Sequence, residues 1–343
     1  MTEAPMDDRP FGDAISPALS CDPRKRTLFG SDTYFLESVE QLGTLTADVD
    51  GFLHRHAALL LKPDAVVSRQ LPTTVDWLAR NGFRIVAAER TRLTRTVVRS
   101  LWYFQWNLAT PERRRLADLF TDSCDSVVLI VRQDADGADA PPSAPASVVL
   151  TERKGPTDPR ARVPGQLRHE TGRYSYLLNL VHTPDEPADV ARELGIYFDS
   201  GLRRRVYTSA LAGEDQSVRA RELGERLHAE VPERDLTFEP AVERLERAVA
   251  EAEESLAPGA VRDELRQARL AARDREGHRR LLEAVWRARL LLDAWDMIAP
   301  GRRADLVLVE GDPTKDIGRT RSIEAIWRGG VRFDREAYRK RTA

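Results

Sequence analysis

The stretch Asn179-Leu180-Val181-His182-Thr183-Pro184-Asp185-Glu186 places one histidine at the end of an apolar run that begins near Tyr176. Such a run predicts a buried β-strand, and the turn residues and helix-forming segment 187–198 that follow predict that the strand ends at the histidine. A histidine at the rim of a sheet lies where small ligands commonly bind to α/β proteins. An isolated strand-end histidine is more often structural, so the interpretation of His182 depends on motifs elsewhere in the chain.

Three further motifs accompany this histidine in a fixed order along the chain. They are Lys62-Pro63-Asp64 at the end of an apolar strand, Gly155-Pro156-Thr157-Asp158-Pro159 with Val163-Pro164-Gly165-Gln166-Leu167-Arg168, and Ala191-Arg192-Glu193-Leu194. With the Asn-x-x-His strand, this ordered set resembles the nucleoside diphosphate kinase family over roughly residues 55–200. Each motif alone is weakly specific, whereas the ordered set is specific.

The elements around these motifs predict an α+β domain. Strands are expected at Leu59–Leu61, at Phe83–Ala88, at Ser126–Val131 and at the segment that bears His182. Helices are expected around Val75–Leu78, which ends near Asn81-Gly82, and at 94–106 and 111–120. The order βαββαβ predicts a ferredoxin-like antiparallel sheet with its helices on one face.

The resemblance implies a phosphohistidine site. His182 is then the nucleophile that carries the phosphoryl group, and Glu193 orients its imidazole. Lys62 would place an ammonium against the phosphates, Arg168 would donate a fork of hydrogen bonds, and Thr157 would add a hydroxyl. Asn179 would contact the sugar or phosphate edge.

The nucleotide base is expected to stack on an aromatic side chain. Tyr103 is our candidate, although Trp102 and Trp106 compete for the same position. The sequence also departs from the family pattern near the nucleophile. Pro184 replaces a serine two residues after the histidine, and Thr151 replaces an arginine six residues before Thr157. Arg153 or Lys154 could substitute for that arginine, and His169-Glu170 replaces a Gly-Asp pair.

Composition limits the class of function. The 343 residues carry 53 basic and 55 acidic side chains, so no global field recruits nucleic acid or an anionic membrane. The two cysteines, Cys21 and Cys124, have neither disulfide-framework nor zinc-ligand spacing, which favours a cytoplasmic location. No apolar run is long enough to span a bilayer.

The chain is predicted to contain four segments. Residues 1–50 form an N-terminal extension that is partly disordered, with an apolar patch at 27–36 that could dock on the next domain. Residues 51–210 form the kinase-like domain, and residues 211–298 form a helical hairpin or bundle. Residues 299–343 are β-rich and are similar to the C-terminal strands of metal-dependent amidohydrolases, whose catalytic barrel would need a few hundred residues that are absent here.

The sequence therefore supports a phosphotransferase that moves the γ-phosphate of ATP or another NTP through His182 to a nucleoside diphosphate or other small acceptor. Mg²⁺ would arrive bound to the nucleotide phosphates, without a protein carboxylate cage. The resemblance further implies a homo-oligomer that binds nucleotides. The alternative is a catalytically inactive nucleotide-binding or scaffold protein on the same fold.

Overall fold

The computed structural model describes most of the chain outside its two ends. The described residues are 15–103, 106, 109, 114, 117, 118, 120–134, 143–172, 174, 178–273, 275–288, 295, 306–309, 323–328 and 331–333. The chain divides into two compact units, Met1–Leu236 and Thr237–Ala343.

The first unit is built around a four-stranded sheet. Its strands are β1 (His56–Leu61), β2 (Phe83–Thr91), β3 (Ser126–Gln133) and β4 (Val181–His182). They lie in the order β2-β3-β1-β4, and every neighbouring pair is antiparallel. This arrangement confirms the α+β, ferredoxin-like prediction. Strand β4 is shorter than the apolar run suggested, because the backbone at Leu180 turns into the left-handed region with φ 68°.

Eleven helices of at least four residues are described in this unit. They are α1 (Pro23–Phe29), α2 (Thr33–Gly43), α3 (Val49–Arg55), α4 (Pro63–Val67), α5 (Leu71–Arg80), α6 (Arg95–Leu101), α7 (Ala146–Lys154), α8 (Leu167–Glu170), α9 (Pro187–Tyr197), α10 (Ser200–Ala212) and α11 (Ser217–Glu230). Helix α6 begins at the predicted position, with the Thr94 hydroxyl accepting from the Val97 N–H. Much of the predicted helices 94–106 and 111–120 lies outside the described residues.

Helices cover both faces of the sheet, which corrects the expectation of helices on one face only. Ala58, Leu60, Val128 and Ile130 join one core cluster with residues of α2, α3, α6, α9 and α10. The alternate residues of β1 and β3 are buried as well, on the opposite face, and α5 contacts β2 without joining that cluster. Because both faces are covered, β1 and β3 are continuous apolar runs rather than alternating ones.

The N-terminal segment belongs to the core of the first unit from Ile15 onward. Phe29 and Phe35 are buried in the cluster that covers the sheet, so the predicted docking of the apolar patch occurs, while Leu28 stays exposed. Helix α2 packs along α9, and a Cβ added at Gly195 of α9 would lie 2.3 Å from the Tyr34 carbonyl oxygen. The close approach of these two helices therefore requires glycine at position 195. Residues 1–14 lie outside the described part of the chain.

Helix α11 packs against β2 and α5 inside the first unit. The sequence grouped this helix with the segment 211–298, whereas the structure extends the first unit to Leu236. The physical reason is the apolar face formed by Ala220, Leu223 and Leu227, which is buried against the sheet domain.

Three helices and a small sheet are described in the second unit. The helices are α12 (Phe238–Ser255), α13 (Ala260–Leu270) and α14 (Arg275–Arg287), and Leu245, Val249, Leu265 and Leu281 are buried between them. The strands β5 (Leu306–Val309), β6 (Ile323–Arg328) and β7 (Val331–Phe333) pair antiparallel in chain order. The resemblance of this segment to amidohydrolases stays a prediction. No helix among the described residues has the length and apolarity needed to cross a membrane.

Candidate active site

His182 is the last residue of the edge strand β4 and pairs with Leu60 of β1. Its Nε2 lies 2.8 Å from Oε1 of Glu193, which α9 carries eleven residues further along the chain. Since a carboxylate accepts only, Nε2 carries the proton and Nδ1 keeps its lone pair. The histidine side chain is 21% exposed, so it is half-buried and reachable from solvent.

Glu193 is held on both of its oxygens. Oε1 accepts from His182, and Oε2 accepts from the Tyr197 hydroxyl at 3.1 Å. The carboxylate is buried, and Tyr197 lies one helical turn further along α9, so the two residues share a face of this helix. The Glu193 charge raises the pKa of the buried Tyr197 further after burial has already raised it, which keeps this hydroxyl a donor. The predicted pair of His182 and Glu193 is thus present, with a tyrosine that sequence reasoning missed.

Asp64 fixes the strained backbone that leads into His182. Its Oδ2 accepts from the Leu180 N–H at 2.8 Å, and the Leu180 carbonyl accepts from the Lys62 N–H at 2.9 Å. A non-glycine residue with φ near +68° costs on the order of 1–3 kcal/mol, which the buried carboxylate helps to offset. Of the Lys-Pro-Asp motif, only Lys62 was predicted to contribute to the site, and the role of Asp64 in the same motif was missed.

Lys62 is a buried cation at the end of β1. Its Nζ lies 3.5 Å from Oδ2 of Asp64 and 5.1 Å from the centre of the Phe120 ring. Burial lowers the pKa of Lys62 to about 8, Asp64 opposes this shift, and the positive charge of Arg168 adds to it. Lys62 is therefore mostly positively charged at neutral pH and loses its charge at mildly alkaline pH.

Arg168 connects the loop that precedes it to the strand of the histidine. Its guanidinium donates to the carbonyls of Gly155 (3.0 Å), Asn179 (3.2 Å) and Val181 (2.6 Å), and to the Thr157 hydroxyl at 3.2 Å. The structure thus brings Arg168, Thr157 and the Asn179 backbone together beside β4. A contact from Arg168 to phosphate stays a prediction. In such a contact, a phosphate oxygen would replace one of these acceptors or share its N–H group.

A second buried arginine, Arg162, holds the same loop and was not singled out from the sequence. It donates to the carbonyls of Pro156 (3.1 Å), Thr157 (2.7 Å), Arg168 (3.3 Å) and Gly172 (2.9 Å). No signal in an arginine-rich segment distinguishes this arginine from its neighbours, because its role depends on the loop closing around it. The long polar loop is therefore ordered by an internal cation.

The substitutions at positions 151 and 184 meet in one hydrogen-bonded chain. The Thr151 hydroxyl donates to the Pro184 carbonyl at 3.0 Å, so the 2.7 Å contact between Thr183 and Thr151 must use the proton of Thr183. The Thr183 hydroxyl then accepts from Nζ of Lys154. Of the two residues considered as replacements for an arginine, Lys154 lies at this site, whereas Arg153 donates to the Asn81 carbonyl at 2.7 Å.

Trp102 packs on His182. Its ring meets His182 edge to face, with ring centroids 5.3 Å apart. Tyr103, our candidate for base stacking, is 55% exposed. Trp106 lies beneath the Arg99 guanidinium, at 5.0 Å. Of the three competing aromatics, Trp102 thus contacts the His182 ring. A role for Tyr103 in stacking on a base stays a prediction.

The N-terminal segment contacts the helix that carries Glu193. Nζ of Lys25 lies 2.7 Å from both Glu186 and Asp189, and the Ser20 hydroxyl donates to Glu186 at 2.7 Å. Glu186 and Asp189 also form the capping box that begins α9. The sequence predicted docking of the apolar patch at 27–36 but no role for Ser20 or Lys25, because their partners are more than 160 residues away along the chain.

Comparisons with known proteins match the segment that carries these residues. The family model for nucleoside diphosphate kinase matches residues 55–201. The nucleoside diphosphate kinase of Heliobacterium modesticaldum is 28% identical over 144 residues, which are 41% of this chain and 86% of that protein. The enzyme of Geotalea daltonii is 28% identical over 141 residues, which are 41% of this chain and 93% of that protein.

Solved structures match the same segment. A crystal structure of the Aquifex aeolicus nucleoside diphosphate kinase has 24% identity and a TM-score of 0.35, and the match covers 43% of this chain and 97% of that chain. A structure of the halophilic nucleoside diphosphate kinase from Halobacterium salinarum in complex with CDP has 21% identity and a TM-score of 0.34. That match covers 43% of this chain and 88% of that chain. From the family match, the relatives and the ordered motifs, residues 55–201 of this chain form a domain of the nucleoside diphosphate kinase family.

Proposed function

We propose that the domain at 55–201 is a phosphotransferase that moves the γ-phosphoryl group of ATP or another NTP through His182 to a nucleoside diphosphate or another small acceptor. The observation that supports this most is the 2.8 Å contact between Nε2 of His182 and Glu193. It leaves Nδ1 as the nitrogen with a free lone pair on a half-buried, solvent-reachable ring.

In the first half-reaction, the Nδ1 lone pair attacks the γ-phosphorus. A P–N bond forms while the bond from the γ-phosphorus to the β,γ-bridging oxygen breaks, and the nucleoside diphosphate leaves with that electron pair. Nε2 keeps its proton throughout, so the ring becomes cationic as it is phosphorylated. The Glu193 carboxylate faces that developing charge and stabilises it, while Tyr197 holds the carboxylate in place. The second half-reaction reverses these steps with the acceptor's terminal oxygen as nucleophile.

The buried cations around this strand supply the electrostatic part of the proposal. Arg168 donates to the Val181 carbonyl of β4, Lys62 donates its backbone N–H to the Leu180 carbonyl just before β4, and the positive charge of Arg168 lowers the pKa of Lys62. A negatively charged phosphoryl group would offset the repulsion between these two cations, which favours its binding at this position. Thr157 and Asn179 border the same loop and are proposed nucleotide contacts, as is the exposed Tyr103.

Mg²⁺ is proposed to enter with the nucleotide. The described residues contain no cluster of three or more histidine, cysteine, aspartate or glutamate side chains arranged to hold a metal ion. Asp64, the buried carboxylate nearest to Lys62, is already occupied by the Leu180 N–H. The phosphate oxygens would therefore be the ligands of the ion, which would neutralise charge on the transferred group.

Labelling tests the proposal directly. Full-length protein incubated with γ-labelled ATP and magnesium is expected to give an acid-labile, base-stable phosphoprotein. His182→Ala should abolish the label, and Glu193→Gln should slow its formation. His54→Ala is the matched control, because His54 lies in α3 of the same unit and is expected to leave labelling unchanged.

A protein that binds nucleotide tightly but never becomes labelled would support the alternative, a catalytically inactive nucleotide-binding or scaffold protein. Discharge of the phosphoenzyme separates the acceptors. Rapid discharge by GDP or CDP would indicate a general nucleoside diphosphate kinase, whereas stability towards every nucleoside diphosphate would indicate another small acceptor. Assembly into a homo-oligomer also stays a prediction, for which sizing of the full chain is the measurement.

A further inference from the structure

Lys154, the last residue of α7, is a buried ammonium next to the nucleophile's strand. Its side chain is almost fully covered, with 6% of the residue exposed. Among the described residues its one hydrogen-bond partner is the hydroxyl of Thr183, the residue that follows His182. An ammonium has three N–H groups, so the contacts of the described protein use only part of its donor capacity.

The hydroxyl chain beside Lys154 cannot supply a negative charge. Thr183 donates to Thr151, and Thr151 donates to the Pro184 carbonyl, so both hydroxyls are committed. No carboxylate of the described residues lies within ion-pair distance of Lys154. A buried cation without a counter-ion is costly, and such groups persist at places where a ligand supplies the missing charge.

The charges that act on Lys154 come from three neighbouring elements. The pKa of Lys154 is lowered to about 7, chiefly by burial and then by the positive Arg168 of α8, while Asp185 after β4 and Glu193 of α9 oppose the shift. Helix α3 and strand β1 also pack on α7, with Asp50, His54, Arg55 and His56 as their titratable groups, and none of these four is among the groups that shift this pKa. Free Lys154 is thus poised between its neutral and charged forms near neutral pH.

We propose that Lys154 is an additional phosphate-binding residue of this site, which contacts the phosphoryl group of a bound nucleotide at His182 and takes up a proton when that group binds. The inference rests on the proposed function for the position of the phosphate, and it does not depend on turnover. An anionic phosphate beside the amine stabilises the ammonium, so phosphate binding and proton uptake are linked. A purely structural lysine would show neither a response to phosphate nor this linkage.

The scarcity of lysine allows a direct measurement on the full chain. The sequence contains five lysines, Lys25, Lys62, Lys154, Lys315 and Lys340. Protein labelled with ¹³Cε-lysine gives five resonances, and Lys154→Arg assigns one of them by its loss. In the free protein the Lys154 resonance should titrate near neutral pH. With Mg²⁺ and ADP it should remain in the ammonium form to a pH at least one unit higher, and adenosine should cause no such change.

Calorimetry gives the second readout. ADP binding to the wild-type protein, measured at pH 7.5 in two buffers of different ionisation enthalpy, should show uptake of a fraction of a proton. Lys154→Met should abolish the uptake and weaken ADP binding about tenfold, since it removes a charged contact to phosphate. Lys154→Arg should keep most of the affinity without proton uptake, because arginine is always charged. Circular dichroism of both variants controls for folding.

The outcomes separate this inference from the proposed function. A Lys154 resonance that ignores ADP, or that stays ammonium up to pH 9.5 in the free protein, overturns the inference even if His182 becomes labelled. A resonance that responds to ADP but not to adenosine supports it, and if the protein then fails to label, only the phosphotransfer step is lost. Failure of ADP to bind at all overturns both.

Discussion

Replacement of Lys154 by methionine should stabilise the protein at low pH, although it removes a proposed ligand contact. The pKa of Lys154 lies near 7 instead of the ordinary 10.5 because the side chain is buried beside Arg168. Each pKa unit corresponds to about 1.4 kcal/mol, so a charged Lys154 costs the folded state roughly 5 kcal/mol at most. Methionine has a similar shape and no charge, and loss of the bond to Thr183 costs about 1 kcal/mol. We expect a net gain of roughly 2–4 kcal/mol at pH 6.

The pH dependence follows from the direction of the shift. A lysine whose pKa is lowered in the folded state binds fewer protons when folded than when unfolded, between pH 7 and pH 10.5. The penalty is therefore fully present below pH 7 and disappears as the pH rises towards 10.5. The stability difference between Lys154→Met and wild type should fall by about 1.4 kcal/mol per pH unit above pH 7.

The assay is urea unfolding of the full chain at pH 6, 7.5 and 9. Amide hydrogen exchange of peptides from β1 and β3, read by mass spectrometry, follows the first unit separately from the second. Lys25→Met is a control of opposite sign. Burial lowers the pKa of Lys25, but Asp189 and Glu186 more than compensate, so its pKa is raised and its removal should destabilise the protein at all three pH values. A Lys154→Met variant that is no more stable than wild type at pH 6, with a difference that does not vary with pH, would refute the reasoning.

Three further predictions concern the sheet domain. Gly195→Ala should destabilise the first unit by about 1–3 kcal/mol, since its Cβ would lie 2.3 Å from the Tyr34 carbonyl and must push α2 from α9; limited proteolysis of the N-terminal segment measures this. Asp64→Asn should lower the pKa of Lys62 below about 8, because it removes the negative charge that opposes the effect of burial. Nucleotide binding should then weaken at a lower pH than in wild type, as a pH series of binding constants would show. The free energy of unfolding should fall as the pH is lowered from 6.5 to 4, because burial lowers the pKa of His56 to about 4. Protonation of the buried ring costs the folded state up to about 3 kcal/mol. His56→Leu should flatten that part of the curve of stability against pH.

The first two of these predictions have control variants, and the third has an outcome that would contradict it. Gly201→Ala should be tolerated, because its added Cβ meets its nearest neighbour at 3.4 Å, and equal loss in both glycine variants would argue against a specific contact at 195. Asp76→Asn is the control for Asp64, since Asp76 lies on the surface of α5 and should leave the pH profile of binding unchanged. If His56→Leu has the same acid response as wild type, titration of another group explains the loss of stability.

Several features of this domain follow from local sequence patterns. Apolar runs such as 59–61 and 127–131 predict strands whichever elements cover them, because every residue of the run is apolar and favours a buried position. The order of strands and helices then predicts the antiparallel sheet, since short connections and right-handed crossovers leave few alternatives. The resemblance carried by the ordered motifs predicted that His182, Glu193 and Lys62 share one site, and each of them lies at a strand end or on the helix that follows.

Other features arise only when distant segments meet. The partners of Arg162 and Arg168 are backbone carbonyls, and no side-chain pattern encodes which carbonyls a closed loop presents. Two helices from outside the motif-bearing segment also pack on the sheet domain, α2 from before it and α11 from after it, so the motif order could not place them. Lys154 became distinguishable from Arg153 once packing had buried one of them and exposed the other. The sequence alone determined which chemistry the strand ends carry, and the tertiary structure decided which charges are buried together, because burial depends on contacts between residues far apart in the chain.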